Sequence, residues 1–151
     1  MADSILFVCT GNICRSPTAD GVMRQLVVDA GLGMQVDSAG THSYHVGEPP
    51  DRRSQQAAKA RGYDLSSLRA RKFCREDFDR FDTILAMDGG HLHAMELMKP
   101  KHYAGTLALF MDHAGLGKLD VPDPYYGDIQ DFEHCLDMVE RGVKAFLTQN
   151  S

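Results

Sequence analysis

The stretch Ser4-Ile5-Leu6-Phe7-Val8-Cys9-Thr10-Gly11-Asn12-Ile13-Cys14-Arg15-Ser16-Pro17 carries the reading of the whole chain. Ser4 to Cys9 is a short apolar run of the kind that forms a strand buried on both faces. Ser16-Pro17 opens a helix, with Ser as its cap and Pro where a missing N–H costs nothing. Ala19, Val22, Met23, Leu26, Val27 and Ala30 follow at helical spacing, and Gly31 supplies the stop. A strand feeding a helix through a glycine-containing turn is the unit of a parallel α/β sheet, in which ligands bind beyond the carboxyl ends of the strands.

The same alternation continues. Gln35 to Ala39 is a second strand, Gly40 to Pro50 a loop, and Arg53 to Arg61 a helix ending at Gly62. Asp82 to Met87 is a third buried strand, broken by Gly89-Gly90. Residues 91 to 98 are helical and stop before Pro100, Thr106 to Phe110 is a fourth strand, and Val121 to Gly127 is a loop. A last helix carries Phe132, Leu136, Val139, Val143, Phe146 and Leu147 on one stripe. The expectation is one α/β domain over residues 1–151: a three-layer sandwich around a parallel sheet, with a phosphate-binding loop after the first strand.

The composition agrees. The chain has 151 residues, enough for one ordinary domain, with 43% hydrophobic and 25% charged residues, which argues against disorder. Its net charge of −5 disfavours general nucleic-acid binding, where affinity comes from neutralising phosphates. No apolar run approaches a membrane span, and the N-terminus is acidic rather than a signal peptide. The four cysteines, Cys9, Cys14, Cys74 and Cys135, lack zinc-site spacing and are assigned to a reducing cytosol, with Cys74 and Cys135 as packing residues. Nine Lys/Arg against four Asp/Glu from Arg52 to Arg80, and seven acidic residues with no Lys or Arg from Asp120 to Glu140, read as two solvated faces.

The loop from Cys9 to Ser16 fits one task, holding a tetrahedral dianion in front of a thiolate. Gly11 and Asn12 tolerate left-handed backbone angles, so the chain curls with its amides inward as an anion nest. The helix end adds its positive pole, and Arg15 grips two oxygens with a planar fork. These same groups favour the Cys9 thiolate, and Ser16 is placed to donate a hydrogen bond to the sulfur. Taken singly, Cys9 reads as a strand cysteine and Arg15 as a solvated first-turn residue. That account does not explain a Cys and an Arg framing a Gly-Asn turn between a strand and a helix.

Val8 to Pro17 resembles the Val-Cys-x-Gly-Asn-x-Cys-Arg-Ser-Pro pattern of the low-molecular-weight protein tyrosine phosphatases, in the manner of a bacterial member. The resemblance continues through Asp37-Ser38-Ala39-Gly40-Thr41, Ala86-Met87-Asp88 and Asp123-Pro124-Tyr125-Tyr126-Gly127. It implies a four-stranded parallel sheet and cofactor-free, metal-free hydrolysis of phosphotyrosine, with arginine and amides doing the electrostatic work of magnesium. It implies Cys9 as nucleophile, Arg15 as phosphate ligand, Thr10, Gly11, Asn12, Ile13 and Cys14 as the cradle, and Asn12 with Ser38 holding its shape. Asp123, fixed between Pro122 and Pro124, matches the general acid; residues alone leave it undecided against a simple Asp-Pro turn. Thiolate and protonated acid together predict an acidic, bell-shaped pH profile. Tyr44 and Tyr125 match the walls of an aryl cleft, Tyr126 stands beside them, and Ile13 matches the floor. Cys14 matches a redox partner able to form a disulfide with oxidised Cys9, against the alternative that it packs under the loop.

One departure stands out. Where the family often places a histidine bonded to the loop asparagine, this chain has Ser66-Ser67-Leu68, so Asn12 is held by a serine or more loosely. The seven histidines, His91-x-His93 included, read as solvated or locally bonded. Expected partners are a phosphotyrosine protein, inorganic phosphate and other oxyanions, with a monomeric chain and no nucleic acid or membrane. Two other functions compete: an arsenate reductase of the same fold, disfavoured because its two further, closely spaced cysteines are missing, and a phosphate-binding module without turnover.

Overall fold

The computed structural model describes residues 3–149. Strand β1 (Ser4–Cys9) lies second in a four-stranded parallel sheet of order β2-β1-β3-β4, with β2 at Gln35–Gly40, β3 at Thr83–Ala86 and β4 at Thr106–Leu109. Ile5, Leu6, Phe7 and Val8 have no exposed surface, which is why this run reads as continuously apolar rather than alternating. Ile5 and Phe7 join one core; Leu6 and Val8 join the other.

Helices cover both faces. α1 (Arg15–Asp29), α2 (Arg52–Ala60) and α6 (Ile129–Gln149) lie against the first core, where Phe132, Leu136, Val139, Val143 and Phe146 of α6 are all buried. The second core takes Phe78 of the short α3 (Asp77–Arg80) and Met95 of α4 (Gly89–Met98). The final short helix, α5 (Phe110–His113), follows β4 directly. Among the described residues no helix is long and apolar enough to cross a membrane.

The expected strands and long helices are present, with shifted ends. Ser16 does not cap α1: the helix starts at Arg15, Cys14 takes the cap position, and no side chain caps it. Gly89-Gly90 begins α4 rather than merely ending β3, because the Asp88 side chain accepts from the His91 N–H and caps the helix. α3 and α5, each four residues long, are too short to leave a periodic signal. The basic and acidic stretches meet where α2 ends beside α6. Arg61 pairs with Asp137 at 2.7 Å and Glu140 at 2.6 Å, and the Tyr63 hydroxyl donates to Glu140 at 2.6 Å.

Strand order places the site. β1 lies between β2 and β3, so the chain leaves the sheet in different directions on its two sides, opening a crevice at the carboxyl ends. Cys9 stands in register with Gly40, and Val8 with Ala86, so the segments after β1, β2 and β3 meet there.

Candidate active site

The loop after β1 turns on Asn12, whose φ of 59° makes it the only described non-glycine residue with a left-handed backbone. Its amide is fully used. Nδ2 donates to Ser16 Oγ at 2.8 Å and to Ser38 Oγ at 3.0 Å, while Oδ1 accepts from the Arg71 N–H at 3.0 Å. The support that a histidine gives elsewhere thus comes here from two serines and one backbone amide; Ser66 and Ser67 make no bond to Asn12, and the Ser66 N–H binds Asp64.

Ser16 is turned inward. Its hydroxyl lies 2.9 Å from Cys9 Sγ and 3.4 Å from the Ala39 carbonyl. Because Asn12 donates to the oxygen, the hydroxyl proton is left for the sulfur or for that carbonyl, and the nearer sulfur receives it when ionised. The Ser16 oxygen accepts from Asn12 rather than from a helix amide, and no side chain caps α1, which leaves its first amides for an anion.

Arg15 is 3% exposed and held by several groups. One terminal nitrogen donates to Asp88 Oδ2 at 2.9 Å and to the Val121 carbonyl at 3.0 Å. The other donates to Thr10 Oγ1 at 3.3 Å and lies 3.7 Å from Asp123 Oδ2. Although burial favours its neutral form, hydrogen bonds from the His91 backbone N–H and Arg15, with the Arg15 charge, hold Asp88 below the usual carboxylate range.

Asp123 reaches this point from the loop before α6. Its Oδ1 accepts the Tyr125 N–H at 3.1 Å, an Asx turn that fixes the carboxylate, and its side chain stays partly open to solvent. Cys9, Thr10, Gly11, Ile13, Cys14 and Arg15 form the floor of the cleft, and Tyr44, His45, Asp123, Tyr125 and Tyr126 its rim. Tyr125 is 36% exposed, with Tyr126 edge-on to it at 5.0 Å between ring centroids. Tyr44 stacks on His42 at 5.1 Å, and both Tyr44 and Tyr126 are exposed. The sequence-predicted loop, acid and tyrosines therefore converge, with Ser38 beneath them.

The site contacts of four residues escape a sequence reading. Asp88 and His91 lie in one turn after β3; His91 is buried, 2.7 Å from Thr10 Oγ1, rather than solvated. His45 lies over the loop, so that a Cβ on Gly11 would come within 2.9 Å of its ring. Arg53 pairs with Asp51 at 3.0 Å and donates to the Tyr125 and Gly127 carbonyls, tying α2 to the acid loop. Spacing in sequence gives no hint of these contacts, which come from separate segments.

Cys9, Cys14, Cys74 and Cys135 are free thiols. Burial, Asp51 and Cys9 push the Cys14 thiol well above its ordinary value. Burial also pushes Cys135 up to about 12. Among the described residues no three His, Cys, Asp or Glu side chains are placed to hold a metal ion. A wider groove beside α2, lined by Arg52, Gln55, Lys59 and Tyr63, contains none of the loop residues.

Comparison with known proteins gives the arrangement a family. A low molecular weight protein-tyrosine-phosphatase of Streptomyces coelicolor is 46% identical over 154 residues, covering 97% of this chain and 93% of that protein. The crystal structure of a protein tyrosine phosphatase from Entamoeba histolytica, with Hepes in its active site, has a TM-score of 0.89 at 36% identity, covering 97% and 96% of the two chains. Vibrio vulnificus Wzb in complex with benzylphosphonate has a TM-score of 0.86 at 29% identity, covering 97% and 98%. The family model for low molecular weight phosphotyrosine protein phosphatases matches residues 4–150. With the cysteine-arginine loop, the sheet that carries it and the sequence matching over nearly the full length, the chain belongs to the low molecular weight phosphotyrosine protein phosphatases, hydrolases of phosphomonoesters.

Proposed function

We propose that this phosphatase removes phosphate from tyrosine side chains of proteins through a phosphocysteine intermediate, with Cys9 as nucleophile, Arg15 as phosphate ligand and Asp123 as general acid and base. The observation that carries this reading is the convergence of a thiol, a buried guanidinium and a fixed carboxylate on one aromatic-rimmed cleft. The phosphoryl oxygens sit against the amides of Thr10 to Arg15 and the guanidinium fork. The Cys9 thiolate attacks phosphorus; the S–P bond forms as the P–O bond to the aryl group breaks, and the Asp123 proton passes to the departing phenolate. Water then attacks the phosphocysteine, Asp123 accepts its proton, and the sulfur leaves as thiolate with the Ser16 hydroxyl donating to it. Electrostatic positioning dominates such a transfer, which suits a site built from donors already in place.

Ile13 as floor, with Tyr44 and Tyr125 as walls, accounts for a preference for aryl phosphates; the benzylphosphonate on the Vibrio relative fits the same reading. Tyr126 shapes the outer rim, and Asn12 and Ser38 hold the cradle. We assign Cys14 as the partner of Cys9 under peroxide: Cys9 is oxidised to a sulfenic acid, and the Cys14 thiol displaces water to form the disulfide. The working unit is one domain over residues 1–151, acting as a cytosolic monomer.

Two variants test the assignment with p-nitrophenyl phosphate. Cys9→Ser abolishes hydrolysis yet keeps phosphate affinity. Asp123→Asn slows turnover by about 100-fold or more, the usual contribution of a positioned acid. Unchanged turnover in Asp123→Asn refutes the acid assignment, and retained turnover in Cys9→Ser refutes the mechanism.

A further inference from the structure

His91 is 5% exposed, carries a titratable ring, and has no part in the chemistry just described. Its Nε2 lies 2.7 Å from Thr10 Oγ1 and 3.5 Å from an Arg15 terminal nitrogen. Its Nδ1 lies 3.1 Å from Asp88 Oδ1, in an alignment too bent for a hydrogen bond. Its backbone N–H donates to that same Oδ1 at 3.0 Å.

The tautomer follows from these neighbours. Arg15 carries only donors, and one of its nitrogens both donates to Thr10 Oγ1 and faces His91 Nε2. An N–H at Nε2 would oppose it. Nε2 is therefore the acceptor, taking the Thr10 hydroxyl proton, and Nδ1 carries the hydrogen, turned toward the Asp88 carboxylate. The direction of bonding is consistent: Arg15 donates to Thr10 and Thr10 to His91, while Asp88 accepts the other Arg15 nitrogen at 2.9 Å and lies 3.1 Å from His91 Nδ1 without a hydrogen bond to it.

We infer that His91 is a positioning residue for phosphate binding: as a neutral acceptor it fixes the Thr10 hydroxyl, and through it the second arm of the Arg15 fork. Asp88 and the Val121 carbonyl hold one guanidinium nitrogen. Without His91 the other keeps only a freely rotating Thr10 hydroxyl and the more distant Asp123. Burial, with Arg15 beside it and despite Asp88, lowers the ring to about 4, so it stays neutral where Arg15 needs an acceptor chain.

This inference rests on Arg15 as the phosphate ligand, and the test separates the two. In the Cys9→Ser background, inorganic phosphate binding is titrated without turnover. Arg15→Ala checks the underlying reading; unchanged affinity there refutes the site itself. Given an effect at Arg15, His91→Ala is expected to weaken phosphate binding about tenfold, the usual scale for an indirect loss of one charge-assisted bond. Thr10→Val is expected to do the same, and the double variant to be no weaker than either single one. His91→Gln, whose amide oxygen reaches the depth of Nε2, is expected to restore affinity to within about threefold. In the Cys9-containing enzyme the loss appears in both KM and phosphate inhibition. Unchanged affinity in His91→Ala overturns the inference. So does additivity with Thr10→Val, or failure of the glutamine to rescue, because a ring that merely fills space behaves in that way. Thr10→Val leaves the buried ring in place, so the inference is still decided if the alanine variant does not fold.

Discussion

Asn12 combines two roles that a single substitution would confuse. Its backbone is left-handed, which costs most other residues about 1–2 kcal/mol, and its side chain satisfies three partners. Asn12→Gly keeps the backbone and loses the amide; Asn12→Ala loses both. In denaturant melts Asn12→Gly is expected to lose about 1–3 kcal/mol, and Asn12→Ala about 1 kcal/mol more. Equal losses would show that the turn is not strained. At this scale the sequence is informative, because Gly-Asn between a strand and a helix signals a left-handed turn. The partners were not legible: the Arg71 amide lies 59 positions away, and a backbone donor leaves no trace in residue identity. His91 was obscured for a related reason. A histidine two positions before another on a helix looks solvated until the turn at Asp88 directs it inward.

Elements meet at the loop with little slack. Gly40, the last residue of β2, lies beside Cys9, and a Cβ there would come within 2.7 Å of the Thr10 carbonyl and 3.0 Å of the Asn12 nitrogen. Both neighbours are backbone, so a methyl must displace the cradle itself. Gly40→Ala is expected to lower kcat/KM about 100-fold, the scale of an ångström's misplacement at a reacting centre. Arg53 works at the other end, joining Asp51 to the acid loop through the Tyr125 and Gly127 carbonyls, while the Asp51 N–H binds the Ile13 carbonyl. With p-nitrophenyl phosphate, Arg53→Ala is expected to lower kcat about tenfold and the melting temperature only modestly, since the part-exposed guanidinium anchors a loop and lies 4.4 Å over the ring of the buried Phe132. A fall in melting temperature without a fall in kcat would contradict that role. The long elements were legible because periodicity and turn residues agree over ten or more positions. Helix starts were less so: Ser-Pro looks like a cap, yet the helix begins one residue earlier, at Arg15, and the Ser16 oxygen accepts from the Asn12 amide instead.

The whole molecule inherits a pH dependence from its buried imidazole. His91 titrates near 4 in the native protein and near 6.5 when unfolded, with Asp88, Arg15, Asp123 and His42 as its charged or titratable neighbours. Because the unfolded chain binds the extra proton first, this stability is present above about pH 6.5 and is lost progressively as pH falls toward 4. The native protein is expected to lose about 1–2 kcal/mol between pH 7 and pH 5 from this group, and His91→Gln to lose correspondingly less, as read by urea melts at both values. Equal losses in the two proteins would assign the dependence elsewhere. The overall architecture was the most legible feature of the sequence, since a double-sided apolar run such as Ile5 to Val8 belongs to few folds. The pieces of the site come from residue 9, residue 38, residue 88 and residue 123, on segments brought together by the pairing of β1 with β2 and with β3. Turnover is consequently a gauge of complete assembly: it requires all four distant segments in place at once, whereas helical signal requires none of them to have met.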